Sequence, residues 1–475
     1  MRSVLGRSLA AGLFGCWACV CLLFQTSQAA NADQIKFRMQ RISNFKCEVV
    51  AANDINGDGR KDILAGNFWY TTPDWKPHEF RKMPSTIDSV GVGYFDDFMD
   101  APLDVDGDGK LDVVSNTWFS TRIEWYRNPG NVDGVWTKTV VDSLSGNHEM
   151  GELVDIDGDG KYLEVLSHTR ATIWYEPGTL SNGKQGLVKH LVSAELLAWG
   201  GGVGDINGDG RPDILRPDAW FEAPVDPRKG TWIKHVIAVG GFDGLNKIRA
   251  TWKCPDCNDL EMNEAGQFDH TPQIWAYDVD GDKLADIVTT SAHNYGIFWY
   301  KQSKVNGVIS FKQNIIDSTW TQAHNITLAD VDEDGDLDFV TGKRFMAHNK
   351  LGDPGLYDPL GVYWYELVRT PTTKYIRHTI TYNEGIGAGM NNVVEDMDGD
   401  GDLDIIVTGK NGGPFYFENL LRTPVAIELL KANTRPKTGV RFRLVFQDGG
   451  MRILSETETV GWEPSYLLDT QGRAR

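Results

Sequence analysis

From Asp54 to Asp62 the chain reads DINGDGRKD, and this nine-residue phrase returns six more times, beginning at Asp104, Asp155, Asp205, Asp278, Asp330 and Asp396. Carboxylates or amides recur at offsets 0, 2, 4 and 8. That is the ligand spacing of a calcium loop: Ca²⁺ takes roughly six to eight hard oxygens, and alternate side chains on a tight turn supply them, with a backbone carbonyl near offset 6. Gly at offsets 3 and 5 permits the turn where a Cβ would clash. Seven copies at a regular period exclude chance. The metal ligands so read are Asp54, Asn56, Asp58 and Asp62; Asp104, Asp106, Asp108 and Asp112; Asp155, Asp157 and Asp159; Asp205, Asn207, Asp209 and Asp213; Asp278, Asp280, Asp282 and Asp286; Asp330, Asp332, Asp334 and Asp338; and Asp396, Asp398, Asp400 and Asp404. Loop three has Glu164 one step late and loop five has Lys283 where Gly is usual, so both are expected to hold calcium weakly.

Loop starts are separated by 50, 51, 50, 73, 52 and 66 residues, which in a chain of 475 argues for one large repeated array with insertions in the longer gaps. The net charge of −19 resides largely in the Asp-rich loops, where calcium would neutralise it, and it argues against a nucleic-acid partner. Arg2 and Arg7, an apolar run from Leu9 to Phe24 and small residues at Ala29 and Ala30 read as a secretory signal over residues 1–30. The run is short of the ~20 residues that span a bilayer, so no membrane span is expected after cleavage and the location expected is secreted, periplasmic or extracellular. Three cysteines lie beyond the leader, and Cys254 and Cys257 read as a small disulfide within the long insertion, with a metal as the alternative.

Around each loop the same order recurs. Short β-branched runs such as Asp112-Val113-Val114 and Asp404-Ile405-Ile406-Val407 flank it as strands A and B of a hairpin. An aromatic phrase follows as strand C, for example Phe68-Trp69-Tyr70, Ile173-Trp174-Tyr175 and Tyr363-Trp364-Tyr365. Strand D is a six-residue phrase with apolar ends, present six times from Trp75–Phe80 to Tyr375–Ile380. The missing seventh copy is found at Phe37–Ile42, ahead of the first strand A. A chain that lends its first strand to its last sheet closes a ring without open edges. The fold expected is therefore all-β: a seven-bladed β-propeller over residues 35–424 closed by an N-terminal strand, then a short β extension over 425–475 with a hairpin of Val440–Gln447 and Met451–Thr457. The loops resemble the FG-GAP or VCBS repeats of integrin-α-type propellers, a likeness covering residues 35 to about 424.

Antiparallel pairing puts the start of strand A and the end of strand B at the rim opposite the calcium loops. His148, His270 and His324 precede strands A, while His168, His293 and His348 follow strands B, and Lys343, Arg344 and Lys410 join them. His78, His190, His235 and His378 recur at equivalent strand D positions and read as structural. Imidazoles and cations around a channel mouth suit β-elimination on an anionic or keto-sugar: His removes an acidified C–H proton while Arg or Lys stabilises the enolate. The stretch Thr341–Asn349, with Asp353-Pro354-Gly355 and Val362–Glu366, is similar to the propeller domain of aldos-2-ulose dehydratases and to propeller lyases that cleave rhamnose from glucuronate. That resemblance implies a carbon–oxygen lyase with His148 as base, His324 and His348 assisting, and Arg344 and Lys343 on the anion or carbonyl; His293, at the same rim, is a further catalytic candidate. The partner expected is then a carbohydrate substrate. The competing class is a non-catalytic propeller that binds carbohydrate or an extracellular protein, for which 16 Trp and 15 Tyr supply surface equally well.

Overall fold

The computed structural model describes residues 35–130, 134–237, 239, 271–349 and 353–422, together with the backbone of three strands, Arg441–Gln447, Gly450–Glu456 and Trp462–Leu468. The leader, Cys254, Cys257 and His270 lie outside the described residues. Seven four-stranded antiparallel sheets succeed one another, and no helix occurs among the described residues. In blade 1 the strands are Val50–Asn53, Asp62–Ala65, Phe68–Thr71 and Lys76–Glu79, and every later blade repeats this order with the acidic phrase as its A–B turn. Strand B is buried at all positions in every blade, as in Asp338–Gly342, because it lies sandwiched between neighbouring sheets.

Seven clusters of buried side chains fill the seven clefts between adjacent blades. Leu64, Trp69, Val113 and Tyr126 join blades 1 and 2, and Val340, Trp364, Ile405 and Phe417 join blades 6 and 7. Each fully buried aromatic contributes roughly 1.5–3 kcal/mol, so the sheets hold each other through the strand C aromatics. The strand D histidines belong to this construction. His78, His190, His235 and His378 stack on Trp69, Trp174, Trp220 and Trp364 with ring centroids 4.0–4.5 Å apart.

The ring closes as the sequence leads one to expect. Phe37–Arg41 pairs antiparallel with Phe415–Asn419, the third strand of blade 7, and Arg38 forms an ion pair with Glu418 across that seam. Inner strands crowd at the axis. A Cβ on Gly202 of blade 4 would lie 1.8 Å from the Ile274 carbonyl oxygen of blade 5, so only glycine allows the approach. The C-terminal strands form a sheet of their own, with Arg441–Gln447 paired to Gly450–Glu456 as expected and Trp462–Leu468 added as a third strand that sequence patterning missed.

Candidate functional site

The A–B turns occupy one end of the blades, so the residues before strands A and after strands B assemble at the other. Glu149 precedes strand A of blade 3 (Gly151–Val154), and His324 precedes that of blade 6 (Thr327–Ala329). His293 follows strand B of blade 5 (Asp286–Thr290), while Lys343, Arg344 and His348 follow strand B of blade 6. The His293 and His348 rings stack at 3.8 Å between centroids, and His324 meets His293 edge-on at 4.6 Å. Asp353 bridges the stacked pair, its Oδ1 lying 3.0 Å from His348 Nδ1 and its Oδ2 3.4 Å from His293 Nδ1. Arg344 makes a buried bidentate pair with Glu48, at 2.7 Å through Nε and 3.1 Å through Nη2, and Nη1 takes no part in it. Glu149, His293, Arg344 and His348, with Tyr94, Phe98, Trp118 and Phe119, line a cavity of about 150 Å³.

The charges follow from these contacts. Burial and the nearby Arg344 hold His324 well below its ordinary value, which favours its neutral form. Burial alone would lower His348 as well, but the Asp353 hydrogen bond and charge outweigh it and raise the ring. Burial resists ionisation of Asp353, yet His293 and His348 hold its carboxyl well below the usual carboxylate range. Glu149, His293 and His324 each offer a ligand atom, all within 4.8 Å of one another. His324 Nε2 is buried without a hydrogen-bond partner among the described residues. An imidazole nitrogen without a hydrogen-bond partner beside a second imidazole and a carboxylate fits a divalent metal, and the Asp353 contact to His293 has the form of the outer carboxylate that would orient such a ligand.

Of the expected site residues, the structure brings together His293, His324, His348 and Arg344. His148 stands apart. Its ring is fully buried, with Nδ1 2.5 Å from Ser167 Oγ and Nε2 3.0 Å from Ser145 Oγ, and the charges it feels are Asp142 and Lys189 rather than those of the cavity. Lys343 is turned to the Thr321 hydroxyl at 2.8 Å, and burial lowers it to about 8. Lys410 braces the 343–349 segment from below by donating to the carbonyls of Met346 at 2.9 Å and Ala347 at 3.3 Å, with Tyr94 under its ammonium. His168 lies in blade 3, 3.4 Å from Glu152. The sequence offers Asp353 only within a resemblance and gives no sign of Glu48 or the cavity aromatics, because only folding sets Glu48 and Tyr94 beside residues hundreds of positions away. A larger cavity, about 580 Å³, opens between strands A of blades 3 to 6, but its acids are Glu152 and the loop residues Asp155 and Asp205, and no imidazole lines it.

The acidic turns share one backbone. Positive φ recurs at offsets 3 and 5 in all seven, including Lys283 at 69° and Glu333 at 61° where glycine is absent. In loop three the register sets Glu164 level with the offset-8 aspartates of the other turns. Val154 pairs with Glu164 just as Asn53 pairs with Asp62, and Glu164 Oε2 accepts the Ile156 N–H at 3.0 Å as Asp62 Oδ2 accepts that of Ile55 at 3.2 Å. The longer side chain and one looped-out residue put Glu164 within 4.8 Å of Asp155 and Asp157, in the position of the missing aspartate. Asp104, Asp106 and Asp108 converge in the same way, as do Asp278, Asp280 and Asp282, and the buried Asp106 Oδ1 and Asp280 Oδ1 have no hydrogen-bond partner among the described residues. These oxygens fit a hard cation.

A model of the FG-GAP-like repeat matches residues 104–167 and 278–341. Each match runs from one acidic turn to the end of strand B in the next blade. No curated protein matches the chain. Among solved structures, a 6-phosphogluconolactonase candidate from Bacteroides uniformis aligns at 9% identity and a TM-score of 0.39, over 90% of this chain and 95% of its own. A second such candidate, from Bacteroides fragilis, aligns at 9% identity and 0.37, over 88% and 93%. The biofilm matrix protein Bap1 of V. cholerae aligns at 14% identity and 0.29, over 91% and 80%. At these values the three carry no information on activity. Repeat match, turn geometry and ring closure agree that the chain is a seven-bladed β-propeller carrying FG-GAP-like repeats.

Proposed function

We propose that this chain is a secreted, calcium-stabilised propeller that catalyses β-elimination on a uronate- or keto-sugar. The observation that carries the reading is the convergence of Glu149, His293, His348 and Arg344 on one cavity, with His324 packed edge-on against His293 behind them and Asp353 tying two of the imidazoles together. Arg344 supplies positive charge to the substrate carboxylate or carbonyl oxygen, where negative charge grows as the enolate forms. His348, oriented by Asp353, takes the proton from the carbon next to that group. The C–H pair becomes the new C=C bond, the bond to the β-oxygen breaks, and the imidazolium returns its proton to the departing oxygen. A divalent metal held by Glu149, His293 and His324 would polarise the same oxygen. The base role that the resemblance implies for His148 passes to His348, because two serine hydroxyls already occupy both His148 nitrogens.

The test is ultraviolet absorbance of the unsaturated product, with metal-loaded protein and a panel of uronate-capped polysaccharides and anhydro- or keto-sugars. His348→Gln is expected to lower the rate by roughly 10²–10⁴-fold at unchanged melting temperature. Absence of product from every substrate class would end the elimination reading and leave a binding propeller.

A further inference from the structure

The cavity is smaller than its aromatic wall. At about 150 Å³ it is roughly half the lower bound of ordinary small-molecule pockets and admits a single sugar ring. Its aromatic lining continues outward as one connected row: Tyr94 to Phe119 at 5.1 Å, Phe119 to Phe98 at 6.3 Å, Phe98 to Trp118 at 6.2 Å and Trp118 to Trp199 at 5.4 Å between centroids. The last member, Trp199, does not line the cavity. Arg170 sits 5.2 Å above its ring. Phe119 is 55% exposed, and Trp118 and Trp199 are half-buried. Contiguous exposed aromatic surface marks a place where a partner packs, and the C–H face of a sugar packs on the π face of an aromatic ring. A cation over the outermost ring adds a preference for negative charge in a chain whose net charge is −19.

We infer that the ligand is the end of an acidic oligosaccharide: its terminal ring enters the cavity, the following units lie along Trp118 and Trp199, and Arg170 faces a carboxylate on one of them. For turnover this rests on the elimination reading, and it then requires removal of units from a chain end; for binding it stands alone. The row is continuous with the cavity, which is why a chain and not a separate partner is the occupant.

The experiment is calorimetric titration of the metal-loaded His348→Gln protein with oligouronates of two to six units, from galacturonate-, mannuronate- and glucuronate-containing chains, and with their carboxyl-reduced counterparts. Affinity is expected to rise about tenfold from the shortest to the longer members of one series. Adding Trp199→Ala should flatten that rise at unchanged melting temperature while leaving the shortest ligand unaffected. Adding Arg170→Gln should weaken the acidic ligands severalfold and spare the reduced ones. Length-independent affinity in every series, or an unchanged rise in the Trp199→Ala protein, overturns the inference, as does release of internal fragments by active enzyme. Length-dependent binding with no unsaturated product from the active protein would sink only the elimination reading; product from single rings without length dependence would sink only the extended site.

Discussion

Burial pushes the His148 imidazole down to about 4, since Ser145 and Ser167 can hydrogen-bond a neutral ring but cannot compensate a charged one. The unfolded ring titrates near 6.5. Between those values the unfolded chain binds a proton that the native protein refuses, so this stability is whole above pH 6.5 and is lost as pH falls towards 4. The loss reaches about 3 kcal/mol. Urea unfolding of wild type and His148→Asn in calcium should therefore show a shallower acid limb in the variant; parallel limbs would contradict the assignment. His293, His348 and Asp353 lie on segments whose sequence positions announce the rim but not who meets whom. The face of the molecule was legible because loop offsets sort residues to one end or the other. The pairing was not, because His348 and Asp353 meet His293, from the preceding blade, only in the folded chain.

At the level of the element, the acidic turn is a backbone shape first and a ligand set second. The offset-0 aspartate accepts N–H groups of its own turn, as Asp54 does from offsets 3, 4 and 5 at 2.8–3.0 Å, and the offset-8 carboxylate accepts the N–H of offset 1, as Asp62 does from Ile55. Burial raises those offset-8 groups, Asp62 to about 6 and Asp338 to about 8, and a bound cation would reverse this by favouring the charged form. Calcium affinity is thus expected to fall as pH drops from 8 to 6, because protons and the ion compete for the same oxygens; calcium titrations at the two pH values check it. Glu164→Gln should cost loop three as much calcium-dependent stability as Asp62→Asn costs loop one, up to about 2.7 kcal/mol at a hundredfold excess over Kd. A negligible effect of Glu164→Gln would restore the weak-loop expectation. The spacing rule counts residues, whereas the sheet counts paired positions, and one extra residue ahead of Glu164 leaves the ladder undisturbed.

Across the whole molecule, stability is shared round a ring in which each blade is buried by its two neighbours. The blade count and the closing strand were readable from repetition alone, since an apolar phrase in excess at one end and missing at the other has one simple remedy. Deleting residues 35–41 would leave Phe415–Asn419 as an open edge. We expect a loss of roughly 3–5 kcal/mol from unmade ladder bonds, together with concentration-dependent association, both corrected by a peptide of residues 35–42 added in trans. Unchanged melting after the deletion would show that the seam is ornamental. The partnership of residue 37 with residue 419 also sets an order of events during synthesis. The first strand made must wait, unpaired, until nearly four hundred further residues have left the ribosome. Blades 1 to 6 can mature one after another as they emerge, but the circle locks in a single late step, so a stalled or prematurely terminated product is left with two mismatched sticky ends.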